Sequence, residues 1–284
     1  MHSPAPPIAL GLPQWYHAAW SFTPRSDDAL SRYSRHFDTV EGNTTFYGLP
    51  SADTVTRWQH AVPARFRFCF KFPRSISHDA ELQHCDDDTR AFLERLAPLG
   101  EQLDLLWLQL GPRFGPDNLP RLQSYLRGLP TDFHYAVEVR HPAFFAKGED
   151  EAAFNRLLAD CDVNRTVFDT RTLFANPAPD ADTQEAMAQK PRVPTHAVAT
   201  ASRPMVRIIS PRDTTLAQSA LARWADVLLG WHRDGHAPRV FLHTPSCAEA
   251  PALAAQLAAE LHARDPAQPP LAAATQPAEQ GSLF

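Results

Sequence analysis

The sequence predicts a single (β/α)8 barrel, and three observations lead to this fold class. Eight short apolar segments of β type alternate with segments of helical periodicity, which is typical of parallel strands joined by helices. The chain has 284 residues and is 44% hydrophobic, which is enough to bury one large core. Neither of the common glycine-rich phosphate-binding loops occurs, and this disfavours the alternative of an open, doubly wound sheet.

The predicted strands are apolar along most of their length and are bounded by turn-forming residues. They are Ile8–Leu12, Thr39–Asn43, Phe66–Phe72, Leu103–Leu110, Tyr135–Arg140, Arg165–Asp169, Met205–Ile209 and Val240–His243. The third strand alternates regularly, so Phe66, Phe68 and Phe70 should face the helices. The same alternation directs Arg67, Cys69 and Lys71 towards the barrel interior.

Amphipathic helices are predicted between the strands from apolar residues spaced three or four apart. These positions are Leu30, Tyr33 and Phe37; Val55, Trp58 and Val62; Phe92, Leu93, Leu96 and Leu99; Leu119, Leu122, Leu126 and Leu129; Phe154, Leu157, Leu158 and Cys161; Leu221, Trp224, Leu228 and Trp231; and Leu253, Leu257 and Leu261. Ser26, Asp27 and Ser51 are candidate helix caps. The acidic run Asp86–Asp88 suits a helix N-terminus.

Two regions depart from this alternation. Residues 173–204 are rich in Pro, Ala and Thr and replace the helix between strands six and seven, with a short helix expected near Gln184–Gln189. Such a segment is either a functional lid or a disordered insertion, and the sequence leaves both open. Residues 265–279 read as a flexible Pro/Ala linker. The predicted organisation is therefore a single-domain TIM barrel over 1–264, a linker over 265–279 and a terminal peptide over 280–284.

Composition narrows the class of partner and the compartment. The net charge of −5 and the pI of about 6.2 disfavour binding of polyanions through bulk charge. The four cysteines are widely separated and none has C-x-x-C spacing, which favours reduced thiols over a zinc knuckle or a redox dithiol. The N-terminus does not resemble a signal peptide, and the most apolar run, Leu103–Leu110, is too short to cross a bilayer. We expect a cytoplasmic protein with no membrane partner.

The candidate site residues lie at the carboxyl ends of the predicted strands, where barrels of this type place their active sites. The candidate catalytic residues are Glu41, Lys71, His78, Glu138, His141 and Asp169. The candidate substrate-binding residues are Trp15, Asn43, Thr45, Tyr47, Arg74, Gln109, Arg140, Arg207 and His243.

Three of these residues carry most of the chemical argument. Glu138 and Arg140 are two residues apart, so they share one face of strand five, either as a structural ion pair inside the barrel or as a carboxylate placed beside cations over a substrate. Lys71 is one of only three lysines and lies at a strand end. It would bind a phosphate or carboxylate as a point charge, act as a base or Schiff-base nucleophile if desolvated, or simply face solvent.

Cofactors are left unknown by the sequence. The acids Glu41, Glu138 and Asp169, together with histidines at 78, 141 and 243, form a set that could bind a divalent metal, but no spacing among them is diagnostic. The same set could perform acid–base chemistry without a metal.

The last five residues have a separate pattern. Gln280 is followed three and four residues later by Leu283 and Phe284. This arrangement resembles the short peptide that docks on the bacterial DNA sliding clamp, although Gly281 departs from the usual leucine at its second position. The pattern predicts a partner-binding peptide, and the alternative is a frayed apolar end.

Several longer blocks resemble the YecE-like family (domain of unknown function 72). They are VEGNTTFY at 40–47, FRFCFKFPRSISHD at 66–79, LWLQLGPRFGP at 106–116, AVEVRHPAFF at 136–145, FDTR at 168–171 and FLHTP at 241–245. The resemblance extends from about residue 8 to about residue 262. It implies a TIM barrel without an established activity, and members have been compared with endonuclease-IV-like barrels.

The resemblance also assigns family mouth positions. Those matched in this chain are Glu41, Asn43, Thr45, Tyr47, Lys71, His78, Gln109, Glu138, Arg140, His141, Asp169 and Arg207. The chain departs from the family after Arg207, where Ile208–Ser210 replaces a His-Gly element, and at His243 and Thr244, which replace paired asparagines. Substrate contacts from strands seven and eight are therefore expected to be those of a subgroup.

Three functional hypotheses follow. The first is an enzyme, a hydrolase or a lyase, that acts by acid–base chemistry on a small anionic or phosphorylated substrate, with Glu138 or Glu41 as base and His78 or His141 as acid. The second is a DNA-maintenance protein that processes nucleic acid and is recruited to the sliding clamp by its terminal peptide. The third is a non-catalytic ligand-binding protein.

Overall fold

The closed barrel predicted from the sequence is confirmed. A computed structural model of the protein describes residues 8–18, 20 and 26–271. The strands are β1 (Ala9–Leu12), β2 (Thr39–Gly42), β3 (Arg67–Lys71), β4 (Leu103–Gln109), β5 (His134–Glu138), β6 (Asn164–Asp169), β7 (Met205–Ile209) and β8 (Arg239–His243). All neighbours pair in parallel and in chain order, and β1 also pairs with β8, which closes the barrel. Each strand lies within two residues of its predicted bounds at either end.

Helices cover the outside of the barrel. In the described part of the chain they are α1 (Ser26–Tyr33), α2 (Ala52–Ala61), α3 (Asp86–Leu96), α4 (Leu119–Gly128), α5 (Glu149–Asp160), α6 (Arg171–Phe174), α7 (Ala181–Gln189), α8 (Gln218–Arg233) and α9 (Ala250–Arg264). The Ser51 cap is confirmed, because its Oγ accepts the backbone N–H of Thr54 at 3.1 Å. Helix α1 begins at Ser26, so Ser26 and Asp27 lie inside its first turn instead of preceding it.

The barrel interior has an apolar layer with a charged layer on each side. The apolar layer consists of Cys69, Leu105, Trp107, Ala136, Met205 and Phe241. Below it, at the amino ends of the strands, lies the lower cluster, which we define as Asp104, Arg203 and Arg239. Above it, at the carboxyl ends, lies the mouth cluster, which we define as Glu41, Glu138 and Arg207. Outside the strands, Phe66, Phe68 and Phe70 pack in the main core, as the alternation of β3 predicts.

Close packing at the end of β2 requires glycine. A Cβ on Gly42 would lie 2.3 Å from Cδ1 of Phe70, which is closer than atoms can approach. The absence of a side chain therefore lets β2 sit against the Phe70 ring and hold Glu41, the preceding residue, inside the barrel.

Residues 173–204 contain the end of α6, helix α7 and an irregular stretch over 190–204, and α7 lies over the mouth. Helix α7 buries Ala186 in a small apolar cluster with Phe168, Leu173 and Ile209. The Asp180 side chain caps this helix by accepting the backbone N–H of Thr183 at 3.0 Å. Of the two alternatives left open by the sequence, the structure has the segment packed as a cover on the barrel.

The start of the predicted linker is packed against the barrel domain. Gln268 is buried, its side chain donates to Asp265 at 3.2 Å, and its carbonyl oxygen lies 2.9 Å from Nδ1 of His262 in α9. These contacts hold Gln268 against the end of α9, and the flexible linker over 265–279 stays a prediction. The remaining linker residues, 272–279, lie outside the described residues.

Candidate functional site at the barrel mouth

Arg207 joins two fully buried carboxylates at the centre of the mouth. Its Nε and Nη2 donate to the two oxygens of Glu41 at 2.8 and 2.9 Å, and its Nη1 donates to Glu138 at 2.6 Å. Burial alone would raise the pKa of each carboxyl, but Arg207, together with His243 at Glu41 and with Arg140 and Lys71 at Glu138, outweighs burial and holds the pKa of both groups below its usual range. Both glutamates are therefore ionised at neutral pH.

Further donors complete the contacts of these carboxylates. Asn43 Nδ2 donates to Glu41 at 2.8 Å, and His243 Nε2 lies 3.1 Å from the other Glu41 oxygen. Arg140 Nε donates to Glu138 at 3.1 Å. A carboxylate with this many charged donors is a weak proton acceptor, because taking a proton would break the ion pairs that stabilise it.

Two aromatic rings form the floor under the arginines. The Arg207 guanidinium carbon lies 4.7 Å from the Trp107 ring centroid and 5.4 Å from that of Phe168, and Arg140 lies 5.6 Å from Phe168. Neither ring was singled out from the sequence. The alternation of β6 contains the signal for Phe168, because it places this residue on the opposite face from Asp169.

Lys71 is the one cation of the deep mouth that bonds only to a neutral group. Its Nζ donates to Gln109 Oε1 at 2.8 Å and lies 3.7 Å from the centroid of the Phe46 ring. The side chain makes no ion pair with any described carboxylate. Burial, reinforced by repulsion from Arg207, lowers the pKa of Lys71 to about 7. The strand end that carries it is fixed by Thr45, whose hydroxyl donates to the Lys71 carbonyl oxygen at 2.6 Å.

A cavity of about 620 Å³ opens above these residues. Its lining includes seven of the predicted site residues: Asn43, Tyr47, Lys71, Gln109, Arg140, Arg207 and His243. Helix α7 and the residue after it supply the cover, including Glu185, Gln189 and Lys190. Burial, followed by repulsion from Arg207 and Arg140, lowers the pKa of Lys190. Lys190 and Cys247, which also lines the cavity, were not among the predicted site residues.

Three predicted residues lie beside the cavity without lining it. His78 faces the Phe46 ring edge-on at 5.2 Å and shares a 2.8 Å hydrogen bond with the Ser77 hydroxyl. His141 Nδ1 accepts the backbone N–H of Ala143 at 3.3 Å. Arg74 is exposed and pairs with Asp79 at 3.2 Å. The structure therefore places these side chains around the rim, behind the inner wall of the mouth.

Two predicted residues point away from the mouth. The Asp169 carboxylate accepts from Trp224 Nε1 at 2.7 Å, from the Thr195 hydroxyl at 3.0 Å and from Arg171, so it ties β6 to the surrounding helices. Trp15 packs edge-on against Trp58 at 5.7 Å in the outer core. Sequence position near a strand end placed both residues in the candidate set, but the direction of each side chain excludes it from the cavity.

A second cavity of about 620 Å³ lies on the outer surface between α3 and α4. The arginines in its lining, Arg90 and Arg121, pair at the surface with Asp87 and Glu81. No buried cation faces this groove among the residues of the described chain. Of these two cavities, the mouth is therefore the one lined by buried basic side chains, Lys71, Arg207 and His243.

The described ranges contain no grouping of three or more His, Cys, Asp or Glu residues that could hold a metal ion. None of their helices is long and apolar enough to cross a membrane. The partner-binding residues Gln280, Leu283 and Phe284 lie outside the described residues, so the clamp-binding peptide stays a prediction.

Comparison with known proteins identifies the family. The "Protein of unknown function DUF72" family matches residues 9–280. The chain is 44% identical over 277 residues to UPF0759 protein YecE of Escherichia coli K12, covering 98% of this chain and 100% of that protein. A DUF72 family protein of Enterococcus faecalis has a similar fold, with a TM-score of 0.68 and 21% identity over 90% of this chain and 95% of that one. A DUF72 family protein of Thermotoga maritima has a TM-score of 0.65 and 18% identity, over 90% of this chain and 99% of that one. The family resemblance drawn from the sequence is thus confirmed, and the chain belongs to the DUF72 family.

Proposed function

We propose that the protein is an enzyme that performs acid–base chemistry on a small anionic substrate, a phosphate or carboxylate compound, bound in the mouth cavity. The observation that carries this proposal is the convergence on that cavity of basic side chains that have unused N–H groups. Lys71, Arg140, Lys190 and Arg207 line it. Within the described residues, the carboxylates paired with them are Glu41 and Glu138, both held by Arg207. An anion would accept hydrogen bonds from the Arg140 Nη groups and from Lys190.

Arg140 is the best-placed anchor for the anion. Its Nε is used by Glu138, but neither of its Nη atoms has a hydrogen-bond partner within the described chain. A guanidinium with free Nη groups matches the geometry of a carboxylate or phosphate. Lys190 adds a second cation from the α7 side and forms no ion pair with any described residue.

Lys71 is the best-placed proton acceptor. With a pKa of about 7, a large fraction of its amine is neutral at physiological pH, which suits a general base. The two glutamates considered from the sequence are less suited to this role, because their ion pairs lower their pKa. The pKa of His78, on the rim, is lowered by burial and then by the nearby Lys71 charge.

The test is a calorimetric titration with phosphate and small carboxylates, followed by a turnover screen over anionic metabolites. Arg140→Gln should weaken anion binding by roughly tenfold or more, because a hydrogen bond to a charged group contributes about 1.5–3 kcal/mol. The matched control is Arg74→Gln, an exposed arginine outside the cavity. Absence of anion binding by the unmodified protein would reject the proposal. Binding without turnover of any compound would favour the non-catalytic ligand-binding alternative.

A second candidate rests on the terminal sequence Gln280–Phe284. We propose that this peptide tethers the protein to a DNA sliding clamp, which would raise its concentration near DNA despite the net charge of −5. Removing residues 280–284 should abolish binding to purified clamp in a titration. A truncated chain that binds as well as the full chain would contradict this role.

A further inference from the structure

We propose that Lys71 is a covalent nucleophile that forms an imine with the carbonyl group of a small substrate bearing a carboxylate or phosphate. This inference rests on the proposed function, because it uses the same anion-binding cavity, and it replaces the general-base role of Lys71 with a covalent one. It makes the substrate class narrower: the anion must also carry an aldehyde or ketone.

Among the described residues, no carboxylate is bonded to Lys71, although a buried structural ammonium needs such a partner. Its Nζ bonds to the neutral oxygen of Gln109, and the rings of Phe46 and Trp107 lie 3.7 and 5.1 Å away. Only one N–H is needed for the Gln109 contact, so the neutral amine can direct its lone pair at a bound ligand. The side chain is 7% exposed and that exposure is to the cavity, which it lines.

The protonation state supports the same role. An imine forms only from the neutral amine, and an ordinary lysine has roughly one neutral amine in 10³ at pH 7. Desolvation and the nearby cationic Arg207 and Arg140 make the ammonium of Lys71 unfavourable. These are the two conditions under which a lysine becomes nucleophilic near neutral pH.

Arg140 and Lys190 would orient the substrate. Both line the same cavity as Lys71, and neither Lys190 nor the Nη groups of Arg140 are bonded to a described carboxylate. An anionic group held there would leave the rest of a small molecule free to reach Nζ. Binding through the anion should therefore raise the effective concentration of the carbonyl beside the amine.

The step balances without an oxidant or reductant. The Nζ lone pair attacks the carbonyl carbon, a C–N bond forms, and the carbonyl π electrons move to oxygen. The nitrogen gives up its two protons and the oxygen gains two, so one water leaves as the C–O bond breaks. The product is a C=N bond between Lys71 and the substrate carbon.

The experiment is reductive trapping of the full chain with cyanoborohydride. Two matched pairs of probes differ only in the anionic group: dihydroxyacetone phosphate against dihydroxyacetone, and pyruvate against acetone. Peptide mapping by mass spectrometry then compares the three lysines of the chain, with exposed Lys147 as internal control. We expect adduct at Lys71 to exceed that at Lys147 by about tenfold or more, and only with the anionic member of a pair. The pair that responds identifies phosphate or carboxylate as the anion.

Two variants complete the test. Lys71→Arg keeps a cation but cannot form an imine, and it should lose the adduct while Lys147→Arg keeps it; thermal melting verifies that both remain folded. Arg140→Gln should reduce the Lys71 adduct by about tenfold with anionic probes. Three outcomes would overturn the inference: equal labelling of all three lysines, an adduct at Lys190 in place of Lys71, or no adduct at all. If anion binding persists in that case, the proposed function stands; if anion binding is also absent, both fall.

Discussion

The two ends of the barrel both bury charged clusters, and the mouth cluster is the one whose arginine, Arg207, lines a cavity of about 620 Å³. In the lower cluster, Asp104 pairs with Arg239 and with Arg203, at 2.6 Å for the latter. Arg239 also donates to the Ala237 carbonyl oxygen at 3.0 Å. Every buried charge there faces an opposite charge, which is the arrangement that makes burial tolerable. The lower cluster therefore shows how buried ion pairs can have a purely structural role in this barrel.

The charged groups of the mouth are arranged in the opposite way. There Arg207 lies between two glutamates, whereas in the lower cluster Asp104 lies between two arginines. Lys71, Arg140 and Lys190 also line the cavity of about 620 Å³ beside the mouth cluster. The protonation behaviour differs as well: ion pairing lowers the pKa of Asp104 and raises that of Arg239, so neither changes charge near neutrality, but the pKa of Lys71 is about 7. Burial of charge is thus no sign of function by itself; the mouth is distinguished by its cavity and by a lysine that titrates near neutrality.

The largest expected effect is a loss of stability when Arg207 of the mouth cluster or Arg239 of the lower cluster is removed. Arg207→Met should lower the free energy of unfolding by about 3–5 kcal/mol, because two buried carboxylates lose their partner. Arg239→Met should cost less, since Asp104 keeps Arg203. Urea unfolding measures the free energy of unfolding of both variants, and the value for Arg207→Lys should lie between those of the wild type and Arg207→Met. If Arg212→Met, at an exposed ion pair, lowers the free energy of unfolding as much as Arg207→Met does, the buried ion pairs of the mouth cluster are not the source of the stability.

The next effect is the pH dependence conferred by Lys71. Its pKa in the folded chain, about 7, lies below its value of about 10.4 in the unfolded chain. The unfolded state therefore binds more protons between these values, and the Lys71 contribution to stability rises with pH through this window. Lys71→Met should remove this slope, by about 1 kcal/mol per pH unit between pH 7 and 8.5. Urea unfolding at several pH values checks it; an unchanged slope would contradict the assigned pKa, and Lys147→Met is the control.

A crossed pair of substitutions separates the two ends by function. Arg203→Gln, at the lower cluster, should lower stability by about 1–3 kcal/mol and leave anion affinity at the mouth unchanged. Arg140→Gln should weaken anion affinity with a smaller loss of stability, because Glu138 keeps its bond to Arg207. Calorimetric titration and urea unfolding of both variants make the comparison. Loss of anion affinity in Arg203→Gln would remove the distinction between the ends.

The smallest effect concerns the cover of the mouth. Asp182 in α7 pairs with Arg212 at 3.4 Å, and both side chains are about half exposed, at 52% and 46%. Asp182→Asn should change the free energy of unfolding by less than about 1 kcal/mol, since exposed ion pairs contribute little. Anion release measured by stopped flow should be faster if this pair helps to hold α7 closed. A large loss of global stability would show that α7 is part of the core and not a cover.

The barrel was predictable because its signals are local. Alternation in β3 correctly directs Lys71 inward and its phenylalanines outward, since side chains on a strand switch faces at each residue. The same rule applied to β6 would have moved Asp169 out of the candidate set and Phe168 into it. Proximity to a strand end indicates the right edge of the barrel, but not the direction of a side chain.

The partners within the mouth were not predictable in the same way. Glu41 and Arg207 are 166 residues apart, and they meet only because β8 pairs with β1 and closes the barrel. Lys190 reaches the cavity through the packing of α7, whose Ala186 fits against Phe168 and Ile209 and whose Thr183 is also buried. Contacts of this kind form only when the barrel closes and α7 packs on it. The periodicity of a single sequence does not show which distant residues then meet.

The aromatic floor of the mouth also has an optical consequence. Trp107 is fully buried, 4.7 Å from the Arg207 guanidinium and 5.1 Å from Lys71 Nζ, so its indole lies in the electric field of both groups. A change in the charge of Lys71, or the arrival of an anion, alters that field and with it the emission wavelength of the indole. With the other five tryptophans replaced by phenylalanine, the emission wavelength of Trp107 would report changes of charge in the barrel mouth.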